Sequence, residues 1–129
     1  MKVLLDTHVL LWWLHDSSRL RPATRALFAA TSNELLWSAA STWELAIKVQ
    51  LGKLRLAESV QSFVARVIAE QDLTALPVHH VHAARVAELP ALHRDPFDRL
   101  LVAQALVEGV PFVSAHGQLA AYGVECVPA

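Results

Sequence analysis

Cysteine and net charge are scarce in this chain, and each scarcity removes a class of function. A single cysteine, Cys126, stands among 129 residues. No disulfide framework or thiolate zinc site can be built from it, and a reducing, cytoplasmic setting is expected. Eleven Lys and Arg face 12 Asp and Glu, a formal net charge of -1. That balance argues against a broadly basic, non-specific nucleic-acid binder, though a local basic rim around a site stays open. No apolar run approaches the roughly 20 residues that a membrane-spanning helix needs. Met1-Lys2-Val3-Leu4-Leu5 looks like an export signal only until Asp6, Thr7 and His8 interrupt it. The Gly-x-x-x-x-Gly-Lys loop of P-loop nucleotide hydrolases is absent. With His8 at position 8, so is the Asp-x-Asp of one class of phosphotransfer proteins. No repeat, low-complexity tract or linker divides the chain, so residues 1–129 read as one domain.

What is present is apolar. Hydrophobic residues make up 54% of the chain, enough to offset chain entropy and exclude disorder. A domain of this length buries roughly two thirds of its unfolded surface. Apolar content this high also suggests that some greasy surface meets another protein chain.

The patterning alternates strand and helix. Val3-Leu4-Leu5 is a short apolar run suited to a strand buried on both faces, and Val9 to His15 follows as a short helix. Pro22 suits the first turn of a helix to about Ala30, and Leu35 to Ser38 reads as a second strand. Ser41-Thr42-Trp43-Glu44 has the form of a capping box, opening a helix that Gly52 closes after Leu51. Ser59 starts another helix, and Leu73 to Val78, containing Pro77, predicts an edge strand. A helix over Val81–Leu89, one from Pro96 to Glu108 stopped by Gly109, and strands at Pro111–Ser114 and Val124–Val127 complete the chain. Such alternation implies an α/β fold with a mainly parallel sheet covered on both sides. Its ligand crevice lies beyond the carboxyl ends of the strands.

Four carboxylates fall at that edge: Asp6, Glu44, Asp95 and Asp98. Asp6 interrupts an apolar segment, where an unpaired buried carboxylate is costly. Converging oxygens, with no cysteine and no histidine trio, make a site for a hard cation such as Mg²⁺ or Mn²⁺. Structural roles compete at every position. Glu44 could complete the capping box, Asp95 could cap the helix that Pro96 begins, Asp98 could serve the helix dipole, and Asp6 could form an Asx turn.

Four stretches carry a family likeness. Leu4-Leu5-Asp6-Thr7-His8-Val9-Leu10-Leu11-Trp12 resembles the opening of PIN-domain ribonucleases, specifically VapC-like toxins of type II toxin–antitoxin systems. Residues 38–54, spanning Ser38 to Leu54, resemble the second family block, and His93-Arg94-Asp95-Pro96-Phe97-Asp98-Arg99 opens the third. Phe112-Val113-Ser114-Ala115 and Ala121-Tyr122-Gly123-Val124 resemble the fourth. The likeness implies a three-layer α/β/α fold. It also implies a Mg²⁺- or Mn²⁺-dependent endoribonuclease that cuts RNA through an activated water, with a second copy of itself and a small antitoxin as partners. Asp6, Glu44 and Asp98 match the acids of the family's metal site, and Asp95 is an assisting residue. Where the family usually has a fourth acid, this chain has His116. That departure favours a one-metal scheme. It also admits an alternative, a catalytically weakened PIN module that acts mainly by binding RNA or antitoxin.

Around this centre, Arg94, Arg99 and Lys48 are candidate phosphate contacts, with Arg19, Arg21 and Arg25 clustered further off. Thr7 is placed to position a water or ligand beside Asp6, whereas His8 reads as a helix-start residue. His79, His80 and His82 lack the i, i+4 spacing of a helical zinc site and read as a polar helix start. His15 and His93 read as surface or loop residues. Of Trp12, Trp13, Trp37 and Trp43, most should be core. Trp12 and Trp13, being adjacent, cannot easily both face inward, so one is a candidate interface residue.

Overall fold

A computed structural model describes all 129 residues. Five strands alternate with six helices: β1 (Lys2–Leu5), α1 (Thr7–Leu14), α2 (Pro22–Ala29), β2 (Glu34–Ser38), α3 (Ala39–Gln50), α4 (Val60–Glu70), β3 (Thr74–Leu76), α5 (His80–Arg85), α6 (Pro96–Glu108), β4 (Phe112–Ser114) and β5 (Cys126–Pro128). Short 3₁₀ turns follow α5 at Val86–Glu88 and β4 at Gly117–Tyr122. The strands form one sheet in the order β3-β2-β1-β4-β5, and every pairing is parallel.

Alternation along the strands sorts the core onto the two faces of the sheet. Val3, Leu5, Leu35, Trp37 and Val113 face one way, against Val9 and Leu10 of α1, Phe28 of α2, and Phe63 and Val67 of α4. Leu4, Leu36 and Phe112 face the other way, against Leu101, Val102 and Ala105 of α6 and against Leu119 and Tyr122. Each fully buried side chain of this kind contributes roughly 1.5–3 kcal/mol, and the result is a three-layer α/β/α arrangement. Strand β3 lies at the sheet edge, where Pro77 just beyond it costs no ladder bond. Helix α6 ends at Gly109, whose φ of 67° is the left-handed conformation that glycine adopts without a Cβ clash.

Helix α3 departs from the sequence expectation. It begins at Ala39, and its cap is Ser38, whose Oγ accepts from the Ala40 amide at 3.0 Å. Ser41 is therefore inside the helix, where its Oγ accepts from the Thr7 hydroxyl at 2.9 Å. The capping-box role for Glu44 falls away, because the residue sits in the second turn, beyond reach of the cap. The tryptophans also differ from expectation. Trp12 and Trp13 are both half-buried against the same core face, Trp13 packing on Phe28 at 4.9 Å between ring centroids. Trp43 is the exposed one at 60%, on the outer side of α3 with its ring edge-on to Phe97.

His82 is the clearest exception to the polar helix start. It is fully buried, its Nδ1 accepting from the His79 amide at 3.0 Å and its Nε2 lying 3.0 Å from Glu108 Oε2. An accepting Nδ1 requires the proton on Nε2, so a neutral imidazole donates to Glu108. Gln104, also fully buried, ties this group to the sheet edge. It accepts from the Ser38 hydroxyl and donates to the Pro77 carbonyl at 3.2 Å.

Candidate metal centre

Parallel strands place the residues that follow them side by side at one edge. Leu5 of β1 is in register with Val113 of β4, so Asp6 and Ser114, one residue further on each strand, are neighbours. The Asp6 amide donates to the Val113 carbonyl at 3.0 Å, and the Ser114 hydroxyl donates to Asp6 Oδ2 at 2.8 Å. Asp6 occupies the cap position of α1, yet its side chain makes no cap hydrogen bond, so the Asx-turn reading is not realised. Its other oxygen, Oδ1, is buried with no hydrogen-bond partner.

Asp98 reaches the same place from the first turn of α6. Asp95 caps that helix, its Oδ1 accepting from the amides of Phe97 at 2.8 Å and Asp98 at 3.3 Å. Pro96 at the first helical position suits this start because it has no amide hydrogen to satisfy. The cap role expected of Asp95 is thus observed. Asp95, Asp98 and His93 also each offer a ligand atom, all within 4.8 Å of one another.

The electrostatics tie Asp98 to Asp6 and Asp95. Burial pushes the Asp98 carboxyl up to about 6, helped by the negative charges of Asp6 and Asp95 and opposed by the His93 hydrogen bond and the His116 charge. Burial raises Asp6 as well, against the Ser114 hydrogen bond and the charges of His8 and His116. Carboxyls held above their ordinary range in this way lack positive charge.

Glu44 approaches from α3. Its Oε1 is buried without a partner, and its Oε2 lies 3.6 Å from Lys48 Nζ one turn along. Lys48 Nζ is also 2.7 Å from His8 Nε2, so this chain of contacts leads from Glu44 to the residue that acts on Asp6. Thr7 is buried and directed to Ser41 rather than into solvent.

Several residues fall otherwise than the sequence suggests. His93, expected in a loop or at the surface, does lie in the loop before α6, but its Nε2 is 2.8 Å from Asp98 Oδ2. Its ring is 6.2 Å from that of His116. Arg99 directs its guanidinium to the Pro90 carbonyl at 2.9 Å and the Tyr122 hydroxyl at 3.1 Å, binding α6 to its surroundings. Arg94 is exposed. Ser114 was legible only as the end of a strand, because its contact with Asp6 depends on register.

A divalent cation fits these donors. Two buried carboxylate oxygens lack partners, and two carboxyls are held above their ordinary range. The donor set is oxygen-rich, as Mg²⁺ and Mn²⁺ require. Asp6, Asp98 and Glu44 would hold such an ion, with His93, Asp95 and Ser114 orienting the ligands.

Comparison with known proteins places the chain in a family. Residues 3–124 match the family model described as the PIN domain. Over 118 residues the chain is 35% identical to ribonuclease VapC22 of Mycobacterium tuberculosis, a span of 91% of this chain and 88% of that protein. Its fold is similar to the crystal structure of VapBC2 from Rickettsia felis bound to a DNA fragment from their promoter. That match has a TM-score of 0.75 and 16% identity, covering 99% of this chain and 98% of that one. DNA-bound VapBC from Salmonella typhimurium gives a TM-score of 0.70 at 17% identity, covering 99% and 98%.

Proposed function

The chain belongs to the PIN-domain family, and from that membership we propose that it is a metal-dependent endoribonuclease, the toxin of a toxin–antitoxin pair. The observation that carries this reading is the buried, unpartnered Asp6 Oδ1 near the raised carboxyl of Asp98, with a second such oxygen, Glu44 Oε1, on α3. Buried polar atoms without protein partners are rare in folded proteins and mark a place for an ion or a water.

When bound, Mg²⁺ or Mn²⁺ supplies a Lewis acid that neutralises phosphate charge and eases deprotonation of a water. The protein's own residues do the rest. Asp6 and Asp98 are held by Ser114 and His93, and they are near enough for the charge of Asp6 to act on Asp98. Glu44 accepts the proton of the attacking water, with Lys48 Nζ 3.6 Å from its Oε2. The water oxygen forms a bond to phosphorus, the bond to the departing ribose oxygen breaks, and that oxygen takes up a proton. Of the cations flanking the sequence motifs, Lys48 and the exposed Arg94 remain candidate phosphate contacts. Arg99, already engaged with Pro90 and Tyr122, acts by holding α6 in place.

The antitoxin and a second copy of the chain are the proposed protein partners. Support comes from the structural relatives, which are VapBC assemblies, and from exposed Trp43 and Leu51, each at least 60% accessible. A second reading, a weakened module that binds RNA without cutting it, is favoured by His116, whose charge acts on both Asp6 and Asp98 where a further acid would otherwise stand. Incubating the purified protein with RNA in Mg²⁺, Mn²⁺ or EDTA separates the two. Cleavage that needs metal and disappears in Asp98→Asn supports the nuclease. Cleavage that appears only in His116→Asp supports the weakened module.

A further inference from the structure

Beside the carboxylates lies a cavity of about 580 Å³, lined among others by Trp12, Arg19, Arg21, Ser114 and Ala115. Ser114 joins it to the metal centre, since the same hydroxyl donates to Asp6. No acidic side chain lines the cavity. Arg25, nearby in sequence, is paired with Asp16 and also donates to the Ser17 carbonyl. Arg19 and Arg21 form no ion pair with any carboxylate. Arg19 is also held in place, its guanidinium lying 5.7 Å from the centre of the Trp12 ring.

Two unneutralised guanidiniums beside an acidic centre, in a chain whose net charge is -1, are charge-complementary to a polyanion. The planar fork of arginine matches phosphate oxygens. A single RNA strand presents such oxygens along its backbone. We propose that this cavity is the subsite for the single-stranded RNA segment adjoining the scissile phosphate, with Arg19 and Arg21 holding its phosphates and Trp12 fixing the Arg19 guanidinium. The assignment rests on the nuclease reading above and names where its substrate lies.

Two measurements on the full chain test it. The first is the salt dependence of binding to a fluorescent oligouridylate, read by anisotropy in EDTA. The second is kcat and KM for RNA cleavage in Mn²⁺. The variant Arg19→Gln/Arg21→Gln is compared with Arg55→Gln/Arg66→Gln, which removes the same formal charge outside the cavity. Loss of two phosphate contacts lowers the magnitude of the log–log salt slope by about 1.4 for a single strand, with affinity down about tenfold and KM up by a similar factor. kcat should stay within about twofold, since neither arginine belongs to the carboxylate centre. A salt slope and KM unchanged in the cavity variant, or changed equally in the control, would overturn the proposal. So would a polyglutamate peptide that binds through these arginines while oligouridylate does not. If the wild type fails to cleave in any metal, the nuclease reading fails, and the anisotropy slopes still decide the subsite.

Discussion

The Ser114 hydroxyl donates to Asp6 Oδ2 at 2.8 Å across 108 residues of chain, leaving Asp6 Oδ1 buried and without a partner. One oxygen is thus fixed by the sheet register, and the other is buried without a partner. Ser114→Ala removes the donor without adding bulk. Apparent Mn²⁺ affinity should fall about tenfold, the lower end of the range for residues that orient metal ligands. Isothermal titration reads the change, and an unchanged affinity would show that Ser114 serves only the fold.

Asp98 gives the metal-free protein a distinct dependence on pH. A carboxyl whose folded pKa is raised from 3.8 to about 6 binds more protons folded than unfolded between those values. Stability should therefore decline as pH rises from about 4 to about 6 in EDTA, with Asp6 contributing in the same direction. Asp98→Asn keeps an acceptor for His93 and removes the charge. It should melt higher than wild type above pH 6 by the equivalent of about 1–2 kcal/mol after allowance for solvent screening, and should match wild type near pH 4. Thermal melts in EDTA across that range check both statements. In wild type, apparent metal affinity should rise through the same window as the proton is displaced.

His116 bears on the choice of metal. An imidazole near Asp6 and Asp98 suits Mn²⁺ better than Mg²⁺, which prefers oxygen. His116→Asp should raise Mg²⁺ affinity several-fold and narrow the gap between the two ions, as measured by competition titration. A ratio of affinities identical to that of wild type would place His116 outside the ligand sphere.

His82 matters to the fold alone. His82→Ala leaves the His79 amide and Glu108 without their partner and opens a void beside Gln104. The expected loss is about 2–4 kcal/mol in urea unfolding, from the unmade hydrogen bonds together with the cavity. Mn²⁺ affinity of the folded fraction should be unchanged.

Elements are legible in the sequence where the deciding contact is local. Short apolar runs located the strands, and Pro77 marked the edge, because these signals act within a few residues. Asp6, Glu44, Asp95 and Asp98 stood out as charges beside apolar or helix-start segments. At the start of α3 two serines, Ser38 and Ser41, offer the same capping chemistry, and the structure uses Ser38. Only the end of β2 and the Thr7 hydroxyl decide between them. The burial of His82 depends on Glu108 and Gln104, more than 20 positions away, so its polar surroundings in sequence misled. The contact of His93 with Asp98 depends on how the loop before α6 folds back over the first turn.

The most direct test is a crystal of the protein soaked in Mn²⁺ and measured for anomalous scattering at the manganese edge. The expected result is a peak within coordination distance of Asp6 Oδ1 and an Asp98 oxygen, absent from Asp6→Asn crystals treated alike. A well-occupied peak elsewhere, with both carboxylates free of metal, would contradict the assignment of this centre.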